Sequence, residues 1–424
     1  MTTNFGNINF NKAKNPEDKD IDSPENFSPI LDEDKRVITY SNSITIALTK
    51  HCHNQCEYCD FPDIGGPLMV PYHTIKCFKK ARLRKAREVN IVAGERPDTI
   101  NLIRTKLDTW GFESYSEYVY TICELAFLEG LLPHLNIGYL TPKELRYLRE
   151  ISVSMEMNLE TTNRNLLESI HQNSPGKDPD IRVKFIESCG KLEIPVTTGL
   201  RVGMGETEDN RIETLTIIKK INEQYGHIQD VVLHNYIPRR RFVNQLQPTT
   251  EELMLSTVKL AREILPKEIK IRVPIILNQN IIKFIDAGVD DLGEIQPGES
   301  SLLFPGNKYP KIEELAVLLE TNGYKLDRRL PIYYDFIINQ KYSKKLAQLL
   351  DKYRYKLNLS LQEKENNKGI ADMDAIDSSI EEEENEEALT VEKTAAIKLV
   401  ENILENDHLD DDDENPFDEK IEEE

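Results

Sequence analysis

Apolar positions along the chain switch between two periods at regular intervals. Ile38–Leu48 contains the first strand, with a β-branched apolar run at Ile44–Leu48, and a helical period takes over from Tyr72 to Glu88. A shorter apolar run, Val89–Ala93, breaks at Gly94-Glu95-Arg96-Pro97, and the helical period returns over Tyr115–Glu129. Beyond it, strand-like segments His134–Gly138, Ile151–Leu159, Pro195–Gly203, Ile228–Tyr236 and Ile269–Leu277 alternate with helix-like ones. The helices are Pro142–Arg149, Arg164–His171, Pro179–Lys191, Asp209–Tyr225 and Thr250–Leu265. A weaker strand, Asp291–Gln296, precedes a helix near Ile312–Asn322. Period 2 or a short unbroken apolar run means strand, and period 3.6 means helix. Helices that carry the chain back between strands make the sheet parallel, and about eight such units close it. The pattern therefore predicts an α/β fold, a complete or nearly complete (β/α)8 TIM-type barrel over residues 38–330. An open doubly wound sheet would concentrate glycine in its first turn, whereas glycine here recurs at several strand ends.

The ends of the chain read differently. Residues 1–37 carry few apolar positions and are expected to form a disordered arm. Residues 331–356 form a helical extension, with Phe336, Ile337, Leu346, Leu349 and Leu350 at helical spacing over Tyr334–Tyr355. From Leu357 onward the chain holds 25 acidic and 5 basic residues, so the tail 357–424 carries nearly all of the −21 net charge. Acid runs such as Glu381–Glu384 and Asp410–Asp413 are typical of disorder, and the periodic stretch Leu389–Leu404 reads as transient helix in a solvated tail. The near-neutral remainder predicts a self-sufficient barrel that keeps its activity when the tail is deleted from Leu357. It also argues against a nucleic-acid or membrane-surface partner.

Six cysteines in 424 residues make no disulfide framework, and no apolar stretch approaches a membrane span. The start of the chain lacks a signal-peptide core, so a reduced, cytoplasmic setting is expected. Three of the cysteines are isolated in helical stretches (Cys77, Cys123 and Cys189) and read as small buried hydrophobes. The other three, Cys52, Cys56 and Cys59, lie in one loop directly after the first strand, with the aromatic Tyr58 between the last two. Iron–sulfur and zinc sites usually take four protein ligands, so a cubane held by three keeps one iron open to a chelating small molecule. The alternative on spacing is a structural zinc completed by His51 or His53.

In a parallel barrel the reactive groups collect at the C-terminal ends of the strands. Read in order, those ends offer the cysteine loop, Gly94-Glu95, Asn136-Ile137-Gly138, Leu159-Glu160-Thr161-Thr162, Gly199 to Glu206, and His234-Asn235-Tyr236. Glycines let backbone approach a ligand, and carboxylates hold an ammonium or ribose hydroxyls. A molecule with an amino acid, a ribose and an adenine needs that assortment.

The motif Cys52-x3-Cys56-x2-Cys59 resembles that of the radical S-adenosylmethionine (SAM) superfamily. Later stretches resemble one member family, the CofG subunit of 7,8-didemethyl-8-hydroxy-5-deazariboflavin (FO) synthase. They are Gly94–Pro97, Glu129–His134, Leu159–Thr162, Ser174–Pro179, Ile194–Gly199 and Tyr225–Gln229, within about Tyr40 to Leu330. The resemblance implies that Cys52, Cys56 and Cys59 hold a 4Fe-4S cluster, that Gly94 and Glu95 bind the methionine amino group of SAM, and that Glu160 meets the ribose hydroxyls. It implies that Gly199, Gly203 and Glu206 line the adenine. The implied reaction makes a 5′-deoxyadenosyl radical that converts a tyrosine–ribityldiaminouracil adduct to the deazaflavin with loss of ammonia. The implied partners are this small-molecule substrate, a ferredoxin- or flavodoxin-type electron donor and the companion FO synthase subunit.

The chain departs from that family at Asp60, Arg201, His234, Ile275 and Leu292, and the substrate half drifts more than the SAM half. Arg201 reads either as an ion pair with a neighbouring carboxylate or as a substrate contact, and His234 as a structural residue. Arg239-Arg240-Arg241 reads either as an anion clamp or as a solvent-facing loop. Two further readings stand beside FO synthesis. One is a related radical SAM enzyme with another substrate; the other is a zinc-bearing scaffold with an acidic interaction tail.

Overall fold

The computed structural model describes residues 35–62, 66–238, 246–296, 301–304, 306–365, 376–378, 380 and 395–407. The arm ahead of Lys35, the Arg239–Arg241 run and much of the acidic tail lie outside them. Eight parallel strands close a barrel: β1 (Arg36–Thr49), β2 (Glu88–Ala93), β3 (Leu132–Asn136), β4 (Ser154–Glu156), β5 (Val196–Val202), β6 (Ile228–Asn235), β7 (Lys270–Arg272) and β8 (Asp291–Ile295). Closure comes from β1, which pairs with β2 through Ser43–Thr49 and with β8 through Thr39–Asn42. A ninth strand, β9 (Tyr324–Arg329), runs along the first half of β1, on the edge that β2 takes up further on. This double use explains why β1 runs to 14 residues.

The outer ring follows the expected alternation. Its members are α1 (Pro71–Leu83), α2 (Asn101–Thr109), α3 (Tyr115–Leu128), α4 (Pro142–Leu148), α5 (Pro179–Lys191), α6 (Glu208–Tyr225), α7 (Glu251–Ile264), α8 (Ile281–Ala287) and α9 (Ile312–Thr321). Capping sets several of their starts. Thr141 and Glu144 close a capping box on α4, and Thr207 and Asn210 do so on α6. None of the described helices is long and apolar enough to cross a membrane.

Sequence and structure differ where local pattern and ladder part company. The helix expected to reach Glu88 stops at Leu83, because Arg84 caps it and Lys85 turns left-handed at φ 58°. Arg87, placed by the pattern on a solvated basic face, is instead buried at the entry to β2. The Ile151–Leu159 and Ile269–Leu277 segments contribute only three residues each to the sheet. Pro274 has no N–H to give a ladder, and the chain turns there instead. Arg164–Glu168 is a 3₁₀ turn rather than a helix. The short α2 and α8 and the charged edge strand β9 gave no clear period and went unread. Cys123 and Cys189 are buried as expected, while Cys77 is only half-buried.

The barrel interior is charged rather than apolar. Arg272 lies at its centre, 3.1 Å from Asp230, 2.8 Å from Glu294 and 3.6 Å from Glu156. Arg329 holds Asp291 bidentately at 2.6 and 2.9 Å. Such groups stay buried only because they are paired.

Past β9 the chain crosses the N-terminal end of the barrel. The Pro331 carbonyl accepts from Ser154 Oγ at 2.8 Å and from Gln229 Nε2 at 3.0 Å. Leu330, Ile332 and Ile337 then pack with Leu132 and Val153, at the starts of β3 and β4, under α10 (Tyr334–Ile338) and α11 (Lys344–Glu365). Short described segments of the tail join this floor. Ile376 and Ile380 are buried in the same cluster, and Asp377 pairs with Arg87 and Arg328 at 2.5 Å each. Further on, the helix Ala395–Asp407 lays Ala396, Val400 and Ile403 into the main core, against α1 and α3.

Candidate active site

The cysteine loop leaves the C-terminal end of β1 and is held by backbone bonds to its surroundings. His53 N–H donates to Glu95 O at 2.8 Å, Glu57 N–H to Ile170 O at 3.1 Å, and Gln55 N–H to Ser174 Oγ at 3.0 Å. Asn54 Oδ1 accepts from Gly176 N–H at 2.9 Å. The loop sits so close to β2 that a Cβ on Gly94 would lie 1.9 Å from the His51 carbonyl oxygen. Glycine at 94 is therefore a packing requirement.

Cys52, Cys56 and Cys59 line one cavity of about 320 Å³ that reaches into the barrel. Burial pushes the Cys52 thiol up to about 11, although the Glu95 N–H donates to its sulfur at 3.2 Å, and burial raises Cys59 as well. Left alone, such thiols stay protonated; bound to iron they become thiolates. Three sulfurs on one cavity wall, one of them backed by the Glu95 N–H, fit a cluster with one open iron. The zinc reading needs a fourth ligand, and neither histidine supplies it. His53 is exposed, and the buried His51 is not part of the cavity wall. Among the described residues, the donors close enough for a single ion are His134, Glu156 and Glu294, with no cysteine.

Glu95 and Glu160 both reach this cavity. The Glu95 carboxylate lies 3.5 Å from Arg182 and so close under Gly176 that a Cβ there would overlap it. Glu160 follows β4 at φ 65°, a left-handed turn that aims its side chain inward. Its carboxylate accepts from Lys177 Nζ at 2.5 Å and from Arg201 Nε at 2.9 Å. Burial works to raise its pKa, but Arg201 and Lys177 outweigh that and hold it well below the usual carboxylate range. Arg201 thus forms the ion pair, and its guanidinium also stacks 4.3 Å above the Tyr58 ring. Tyr58 in turn bonds His171 Nε2 through its hydroxyl at 3.1 Å, which fixes the aromatic between the cysteines.

The strand-five residues are placed otherwise. Glu206 folds back onto its own loop, accepting from Gly203 N–H at 2.9 Å, Met204 N–H at 2.9 Å and Arg211 at 2.8 Å. Neither it nor Gly199 or Gly203 belongs to the cavity wall. Gly199 is needed for packing, since a Cβ there would lie 2.1 Å from the Val232 carbonyl oxygen.

The departing residues Asp60, Arg201, His234, Ile275 and Leu292 all line the cavity. Arg182, on α5, gave no signal because a helical arginine reads as solvated; here it holds Gly176 O at 2.8 Å. Asn90, Asn158, Glu156, Arg272 and Glu294 also went unread, since polar residues inside strands look like the wet face of a sheet.

Burial, helped by nearby Arg201, lowers the His234 pKa to about 4, so this imidazole is neutral at physiological pH. An unfolded histidine takes up its proton near pH 6.5 and the folded one near 4, so His234 favours folding fully above 6.5 and loses that contribution as pH falls. Replacing His234 by glutamine should flatten the acid limb of urea-melt stability, by about 1 kcal/mol at pH 5 given its partial exposure to the cavity. Equal slopes for parent and variant between pH 7 and 5 would refute the assignment.

The Radical SAM superfamily model matches residues 46–218, from mid-β1 into α6. The chain is 38% identical to the 7,8-didemethyl-8-hydroxy-5-deazariboflavin synthase of Archaeoglobus fulgidus over 321 residues, covering 75% of this chain and 97% of that one. It is 36% identical to the Methanothermobacter thermautotrophicus enzyme of the same name, covering 74% and 97%. In fold it resembles the FeFe-hydrogenase maturase HydG of Carboxydothermus hydrogenoformans (TM-score 0.58, 14% identity, 87% of this chain and 82% of that one). It also resembles methylornithine synthase PylB (TM-score 0.53, 18% identity, 69% and 84%). A three-cysteine loop at the mouth of a parallel barrel, matched along nearly the whole length of these relatives, places the chain in the 7,8-didemethyl-8-hydroxy-5-deazariboflavin synthase family of radical SAM enzymes, which work with a 4Fe-4S cluster and SAM.

Proposed function

We propose that the protein is a carbon–nitrogen lyase making FO from the tyrosine–ribityldiaminouracil adduct, with release of ammonia, in the cytoplasm. The observation that carries this reading is one cavity joining the cluster cysteines to a polar barrel interior. When bound, the cluster and SAM supply a 5′-deoxyadenosyl radical; the protein supplies position and shelter from water.

Cys52, Cys56 and Cys59 hold the cluster, with Cys52 Sγ steadied by the Glu95 N–H. Gly94 and Glu95 take the methionine amino group of SAM. Glu160 takes the ribose hydroxyls: its ionised carboxylate has about four acceptor sites, and Lys177 and Arg201 occupy one each. Gly199 and Gly203 shape the strand-five backbone beside the adenine, and Glu206 braces that turn from outside the cavity. An external ferredoxin- or flavodoxin-type donor and the companion FO synthase subunit complete the system.

A second reading keeps this chemistry on a different but related substrate. It is favoured by the gathering of all five departures on one cavity wall, where they would meet substrate.

Anaerobic incubation of reconstituted enzyme with the adduct, SAM and a reductant separates the two. Fluorescent deazaflavin and ammonia formed in step with 5′-deoxyadenosine support FO synthesis. Deoxyadenosine without deazaflavin overturns it in favour of the second reading.

A further inference from the structure

Below the SAM side of the cavity, β3, β4 and β8 each turn one donor inward. The ligand atoms of His134, Glu156 and Glu294 all lie within 4.8 Å of one another, and Glu156 and Glu294 also line the cavity. We propose that these three side chains form a second metal site, for a divalent first-row cation such as Mn²⁺ or Fe²⁺, separate from the cysteine cluster.

The histidine is built for the task. Ser154 Oγ donates its only proton to the Pro331 carbonyl at 2.8 Å, so its lone pair must receive a proton from His134 Nδ1, 2.7 Å away. That puts a proton on Nδ1, so the neutral ring has a bare Nε2, the arrangement a metal-bound histidine needs. The ring is nine-tenths buried and more, with only 3% of the side chain exposed, and Nε2 has no hydrogen-bond partner. It points at Glu156 Oε2 across 3.6 Å, close to the ~3.4 Å edge between ligands around a tetrahedral ion with bonds of about 2.1 Å.

Charge argues the same way. Among the described residues, Glu88, Glu156, Asp230, Asp291 and Glu294 share the barrel interior with Arg272 and Arg329. Arg272 engages Glu294 Oε1 at 2.8 Å and Asp230 at 3.1 Å, and Arg329 is committed to Asp291. Glu156 on β4 and Glu294 on β8 face His134, with Arg272 shared between them. Two carboxylates facing a bare imidazole nitrogen attract a dication. One nitrogen and two carboxylate oxygens suit Mn²⁺, Fe²⁺ or Zn²⁺. Three protein ligands leave further coordination positions, and these would face the cavity, where a substrate oxygen or nitrogen can enter.

The test uses full-length enzyme reconstituted with its cluster in the oxidised, EPR-silent state, and Mn²⁺ as the probe. Expected are one Mn²⁺ per chain removed from the free-ion EPR signal and a nitrogen hyperfine coupling in ¹⁵N-histidine-labelled enzyme. His134→Gln should weaken uptake at least about tenfold. Weak binding to the Asp410–Asp413 run is common to parent and variant and cancels in the comparison. Should His134→Gln fold poorly, Glu294→Gln and the nitrogen coupling of the parent enzyme answer the same question. Equal uptake by parent and variants with no histidine coupling overturns the proposal, and assigns the His134–Glu156 pair to a shared proton instead.

Discussion

Cys56→Ala is expected to give a folded, colourless protein that no longer cleaves SAM. The side chain is 5% exposed, and the substitution removes a single sulfur without adding volume. The loop around it should survive, since its shape rests on backbone bonds to Glu95, Ile170 and Asn173 and on the Asn54–Gly176 contact. On the proposed ligation, what disappears is one of three ligands that already leave an iron open, so the cluster loses its hold on the protein. With the radical source gone, deoxyadenosine formation should fall by at least about a thousandfold, because no side chain here substitutes for that chemistry. Iron content, visible absorbance and deoxyadenosine yield after anaerobic reconstitution measure it. A brown variant with parental turnover would exclude the cysteine loop as the cluster site.

The second large effect is on stability and comes from the opposite end of the barrel. Asp377→Ala takes the carboxylate from between two guanidiniums, Arg87 and Arg328, whose side chains are 2% and 7% exposed. Tyr353 loses a hydroxyl partner as well. Removing one member of a buried ion pair costs about 3–5 kcal/mol, because the charge left behind keeps its desolvation penalty while losing its counter-charge. Deleting the chain from Leu357 should cost at least as much, since it also removes Ile376 and Ile380 from the floor and Ala396, Val400 and Ile403 from the core. Deleting only the residues after Asp407 should cost little. Urea-melt midpoints for the three variants decide it: equal midpoints for parent and Asp377→Ala would mean that the tail contact carries no weight. Those outcomes would reverse the expectation drawn from charge, in which the acidic tail was dispensable.

The reversal shows what sequence reasoning can reach. Periodicity is local, so it found the strand–helix alternation and thus the barrel, and the cysteine loop announced itself through spacing alone. Asp377 is one acid among many in a low-complexity stretch, and nothing local distinguishes it from its solvated neighbours. Its role depends on Arg87 and Arg328, which are 290 and 49 residues away. Glu160 was legible as a strand-end carboxylate, but its two cationic partners come from a 3₁₀ turn and from β5. Gly203 and Glu206 gave a recognisable pattern, yet the pattern cannot say that the carboxylate bends back onto its own amides. The charged interior ran against the usual expectation, because barrel strands are normally filled with branched apolar side chains.

The sealed floor also constrains traffic. With Leu330, Ile332, Ile376 and Ile380 packed across the N-terminal end, whatever occupies the depths of the barrel has to travel past the cysteine loop. A vessel of that shape imposes an order of loading. The molecule seated deepest goes in before SAM, and it leaves, altered, only after the spent halves of SAM have moved aside. Steady-state kinetics should therefore show compulsory-order binding, with deoxyadenosine acting as a competitive inhibitor of SAM and blocking release of the deeper product.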